Sequence, residues 1–171
     1  RAENEGSKFF YRSAASFVKA RMGQSEYPFL TREEIVSDDS KGALIIVGSH
    51  VPNTTKQLNK LIEFSNINPI ELNVKKILNN KKEESSITNK IDKLLNNAED
   101  VVLYTSRDVV VGNSREEYLQ IGAKITDSII NIIKNLSVKP NYILSKGGMT
   151  SSSVTKRGLN VKRAIIPGQI Q

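Results

Sequence analysis

Along the chain, short apolar runs alternate with longer polar stretches in which apolar residues recur at helical spacing. Five runs stand out: "ALIIVG" (Ala43 to Gly48), "PIELNV" (Pro69 to Val74), "DVVLYTS" (Asp100 to Ser106), "NYILSKG" (Asn141 to Gly147) and "KRAIIPG" (Lys162 to Gly168). Three of them are short, continuous and β-branched, the pattern of strands buried on both faces. Between them, "TTKQLNKLIEFS" places Leu58, Leu61, Ile62 and Ser65 on one stripe. "REEYLQIGAKITDSIINIIKNL" repeats Tyr118, Ile121, Ile125, Ile129, Ile132, Ile133 and Leu136 at near-helical spacing, with acidic residues in its first turn. Residues 75 to 97 fit either two short helices or one irregular polar helix. A further short helix is predicted after Gly147-Gly148, and "FFYRSAASFVKARMG" reads as a helix that belongs partly to something upstream. Strand and helix in alternation predict an α/β fold: three αβα layers around a mostly parallel, doubly wound sheet.

Bulk composition narrows the function classes. The 171 residues are 38% hydrophobic and 25% charged, as in a globular domain. No run approaches the roughly 18 apolar residues of a membrane span. The chain has no cysteine, which excludes a disulfide framework, a thiolate metal site and a cysteine nucleophile. His50 is the single histidine, so a histidine-rich metal site is excluded as well. The net charge of +7 favours anionic partners without choosing among them. Aromatics are 6% of the chain, fewer than the interleaved basic and aromatic surface of a nucleic-acid binder calls for. The lysines of "NVKKILNNKKEESSITNKIDKLLNN" read as a solvated helical surface. The amino-terminal stretch lacks an initiator Met and an apolar signal core, and "RAIIPGQIQ" stops at a strand-like run. Both ends are therefore expected to be those of a fragment.

In an open parallel sheet, ligands bind where strands end and helices begin. Three such places carry glycine, hydroxyl or arginine: "VGSHVPNTT", "YTSRD" and "SKGGMTSSS". In the last, Gly147 and Gly148 permit close backbone approach, Thr150 and Ser151 lie near a helix start, and Lys146 adds a charge. The loop reads as a phosphate cradle or as an ordinary capped turn. Ser49 reads as a phosphate or ribose donor or as part of a capping turn, and His50 as incidental. Arg107, after Thr105 and Ser106, reads as a clamp on phosphate or carboxylate, or as a surface ion pair with Asp108 or a nearby Glu. The Walker pattern is absent, and so is G-x-G-x-x-G, which argues against a dehydrogenase-like dinucleotide domain.

Taken together and in this order, "FFYRSAASFV", "IIVGSHVPNTTKQL", "VVLYTSRD" and "YILSKGGMTSSSVTKRGLNVKRAIIPGQI" resemble the carboxyl-terminal half of the four-carbon acid sugar kinases, the YgbK-like kinases. The likeness covers nearly the whole chain and is weakest over 75 to 97. It implies an ATP-dependent, Mg²⁺-requiring kinase that transfers the γ-phosphoryl group to a hydroxyl of a 3-oxo-tetronate, tetronate or erythronate. It implies ATP contacts at Ser49, Gly147, Gly148, Met149 and Thr150. Arg107 and Lys146 match family-like motif positions, and with Ser106 they are candidate phosphate or substrate contacts by charge and location. Arg12, in "YRSAAS", is expected near a domain junction, facing substrate. Residues 1–24 are then the segment adjoining an amino-terminal substrate domain outside this chain. Residues 25–171 are the nucleotide-binding domain, incomplete at its carboxyl end. No catalytic residue and no metal ligand is assigned, and the chain alone is expected to be inactive. The expected partners are ATP or ADP, the sugar acid chiefly through the other domain, and a further copy in a homo-oligomer. Neither membrane nor nucleic acid is expected, and the location is cytoplasmic. The alternative is a non-catalytic basic module that binds an anion or nucleic acid.

Overall fold

The computed structural model describes residues 4–6, 8–23, 25–36, 40–79, 82–107 and 114–170. It falls into two units, one of Arg1–Thr31 with Pro167–Gln171, the other of Arg32–Ile166. In the first, helix α1 (Ala15–Arg21) begins later than its aromatic approach predicts. Residues 9 to 14 precede it without helical structure. Tyr11 meets Phe9 and Phe17 at ring-centroid distances of 6.0 and 5.1 Å. The returning segment is tied in by a bond from the Leu30 N–H to the Gln169 carbonyl, 2.8 Å.

The second unit opens with the single turn α2 (Arg32–Ile35) and continues β1 (Leu44–Val47), α3 (Pro52–Phe64), β2 (Asn68–Leu72), α4 (Val74–Asn79), α5 (Lys82–Asn96), β3 (Val101–Thr105), α6 (Arg115–Lys134), β4 (Ile143–Lys146) and α7 (Gly148–Ser153). A π-helical turn, Val154–Gly158, extends α7. All strand pairings are parallel, in the order β2-β3-β1-β4. The polar stretch 75 to 97 resolves into two helices rather than one.

Helix placement follows from the hand of the crossovers. From β1 the chain moves two positions across the sheet to β2, then reverses direction to reach β3 and β4. A right-handed crossover that reverses direction must change faces. Accordingly, among the described residues, α3 is the helix that packs on one face, where Leu58 meets Val47 and Val102. The other face carries the larger core: Ile77 of α4, Ile91 and Leu95 of α5, and Ile132 and Ile133 of α6, against Leu44, Ile46, Leu72 and Leu103. The predicted three-layer, doubly wound architecture is thus the observed one, with unequal outer layers.

Three boundaries depart from the sequence pattern. "PIELNV" stops being a strand at Leu72 because the Asn73 side chain accepts from the Lys76 N–H at 3.0 Å and caps α4, which takes Val74 into the helix. "KRAIIPG" forms no strand: Ile165 and Ile166 are 91% and 89% exposed. β-propensity measures fit to a half-buried pleated surface, and no neighbouring strand supplies one there. The last helix starts within the glycine pair, at Gly148, rather than after it.

Candidate nucleotide site

β3, β1 and β4 are neighbours in the sheet, and Val47 is in register with Tyr104 on one side and Lys146 on the other. The loops after them therefore emerge side by side. The loop of β1 leads to one face of the sheet, while those of β3 and β4 lead to the other. Such divergence opens a crevice at the carboxyl ends of the strands.

Two close approaches lock the β1 and β4 loops together. A Cβ on Gly48 would collide with the Thr150 hydroxyl, and one on Gly147 would lie 3.4 Å from Ser49 Cβ. Gly147 also has φ +106° and ψ 131°, a conformation that L-residues rarely adopt. It turns the chain sharply from β4 into α7, whose first full backbone bond runs from the Ser151 N–H to the Gly147 carbonyl, 2.8 Å. Ser151 Oγ donates back to the Ser145 carbonyl at 2.8 Å and fixes the turn from below. Being in the first helical turn, the N–H groups of Gly148, Met149 and Thr150 have no carbonyl one turn before them. They form the positive end of a helix that, with its π-helical extension, runs to Gly158.

Those residues open onto a cavity of about 640 Å³. One side is the polar floor built by the loops: Gly48, Ser49, Thr105, Gly147, Gly148 and Thr150. Another side is the stretch of α6 from Tyr118 to Ile129, which is largely apolar. Ser153 and Arg157, from the α7 helix and its extension, also line it. α6 is capped by Ser114, which accepts from the Glu117 N–H at 3.1 Å.

Of the residues singled out from sequence, Ser49, Gly147, Gly148, Met149 and Thr150 come together around this cavity. Met149 is 82% exposed at its mouth. Ser106 lines it too, although its Oγ already accepts from the Val74 N–H at 3.2 Å. His50 is in the lining and exposed. Lys146 ends β4 but does not line the cavity. Arg12 belongs to the other unit.

Arg107 has a different place from the clamp or surface ion pair its sequence suggests. Its guanidinium bridges the ends of β1 and β3. Nη1 donates to the Ser49 carbonyl at 2.8 Å, and Nε and Nη2 donate to the Thr105 carbonyl at 3.0 and 2.8 Å. The Tyr104 ring lies 5.8 Å from it. Burial pushes the Arg107 pKa down, with Tyr104 and Glu71 opposing. Burial, and then Glu71, pushes that of Tyr104 up. Arg107 thus staples the β3 loop to the β1 loop, and it borders a separate polar cleft of about 170 Å³ with Glu71, Asn73, Lys75 and Ser106. Asp108, its expected ion-pair partner, lies outside the described residues.

A glycine-turned helix start beside a large, half-apolar cavity suits a ligand with an anionic end and a flat apolar end. A family model described as a nucleotide-binding C-terminal domain matches residues 44–171. The chain belongs to that family. The domain is one found in the four-carbon acid sugar kinases. No curated protein matches the chain.

In the nucleotide-binding domain, the loops were the legible part of the site. The wall was not: Tyr118, Ile121 and Ile125 read as core positions of an amphipathic helix, and Arg157 gave no local signal. Gly122, an isolated glycine inside a helical pattern, was the available clue. A Cβ built there meets open space. No helix among the described residues is long and apolar enough to cross a membrane.

Proposed function

We propose that this is the ATP-binding domain of a YgbK-like kinase that phosphorylates a hydroxyl of a four-carbon acid sugar in the cytoplasm. The observation that carries the reading is the convergence of the first-turn N–H groups of Gly148, Met149 and Thr150 with an apolar-walled cavity at the carboxyl ends of parallel strands. In this reading the α7 start receives the terminal phosphates, Ser49 and Thr150 donate to them or to the ribose, and the α6 wall takes the base. Mg²⁺ enters as part of the nucleotide substrate, on the phosphate oxygens. The domain's own contribution is orientation: fixed N–H dipoles hold the transferring group in line with an acceptor hydroxyl and stabilise the charge that develops on it. The sugar acid is held mainly by a substrate domain outside this chain, with Arg12 in the adjoining segment and Lys146 and Ser106 nearer the phosphates. Residues 1–24 and 25–171 divide accordingly.

Thermal denaturation with millimolar Mg-ATP or Mg-ADP tests this reading. The expected result is a rise in Tm that Gly148→Val abolishes. A Cβ at Gly148 points into open space, with no atom from elsewhere in the fold within 4 Å, so the valine is directed at ligand space. An unchanged Tm for the wild type at saturating nucleotide would remove the reading.

A further inference from the structure

The α7 helix and its π-helical turn present Thr150, Ser153 and Arg157 to the cavity at intervals of three and four residues. Arg157 lies seven residues beyond Thr150, about 10 Å further from the phosphate-binding start at the rise of a helix. Its Nη2 donates to Asp127 Oδ1 of α6 at 2.7 Å, and the two side chains are 56% and 52% exposed. The π-turn that ends this helix packs against α6, with Gly158 close to Ile133. A half-exposed ion pair of this kind adds little to stability. Its effect is geometric. The carboxylate engages one edge of the guanidinium, at Nη2, and already matches its charge, which makes Arg157 a poor phosphate clamp, while over half of the side-chain surface stays exposed. The same cavity is lined by Ile121, Gly122 and Ile125 of α6, and Gly122 leaves open a slot where any other side chain would stand.

We infer that Arg157 is a base-binding residue: its guanidinium, held by Asp127, stacks on the nucleobase and presses it against Ile121, Gly122 and Ile125. The inference rests on the nucleotide reading above and assigns the base, rather than the phosphates, to this end of the cavity. Lysine keeps the charge but cannot stack as a plane, so it substitutes poorly.

The test measures Kd by calorimetry for Mg-ATP and for tripolyphosphate on the wild-type chain, Arg157→Ala, Arg157→Lys and Gly122→Leu. Arg157→Ala and Arg157→Lys are expected to raise Kd for ATP about 5- to 30-fold, the range of a partly desolvated guanidinium–ring contact, and to leave tripolyphosphate unchanged. Gly122→Leu fills the slot in a helix it favours, and is expected to weaken ATP while sparing tripolyphosphate, which keeps the idea testable if the arginine variants fold poorly. No ATP binding by the wild type removes the nucleotide reading and this inference with it. ATP binding that the variants do not change, or an equal loss for ATP and tripolyphosphate, overturns the stacking role alone.

Discussion

The two halves of α6 carry the same apolar periodicity and meet opposite fates. In the carboxyl-terminal half, Ile129, Ile130, Ile132 and Ile133 are buried, most of them in the large core against β1 and β3. In the amino-terminal part, up to Ile125, Tyr118 and Leu119 are exposed and Ile121 and Ile125 only half-buried, lining the cavity. A stripe longer than the surface beneath it can cover serves two purposes. One half contributes burial free energy to the fold, and the other keeps apolar surface available to a ligand.

Substitutions along the helix should separate these roles. The largest effect is expected from Ile132→Ala, where a fully buried side chain leaves a cavity costing about 2–5 kcal/mol of stability, read by denaturant unfolding. The nucleotide-induced rise in Tm should persist in the protein that still folds. Ile125→Ala, half-buried at the junction of wall and core, should cost less, about 1–2 kcal/mol, yet reduce the ATP-induced shift more than Ile132→Ala does. If the reverse order of ligand effects were found, the division of the helix would fail. The smallest effect is at Gly122→Ala, which should stabilise the free chain by up to ~1 kcal/mol through helix propensity while lowering nucleotide affinity. A stabilisation that carries over fully to the bound form would mean that the slot is not used.

A similar contrast holds between the two charged candidates, Arg107 and Arg157. Arg107 stood out in sequence because it follows a strand directly, and folding consumed most of its donors on the carbonyls of Ser49 and Thr105. Arg157 had no such context, since its access to the cavity depends on the π-turn and on Asp127, 30 residues earlier. Hydrogen-bond partners so distant in sequence leave no local signature. The glycines did: Gly48, Gly147 and Gly148 mark places where a side chain would strike Thr150, strain the backbone or occupy the cavity.

By itself the sequence determined the alternation of strands and helices, the parallel sheet, the layer count, and the loops that could hold an anion. These follow from periodicity and from backbone chemistry, which act over a few residues. Only the tertiary structure decided that three of the loops are neighbours, that "KRAIIPG" stays exposed rather than adding a strand, that Arg107 is a staple, and that half of α6 is a wall rather than core. Each of those depends on which surfaces the reversed crossover brings face to face, and that is settled by packing between elements far apart in the chain.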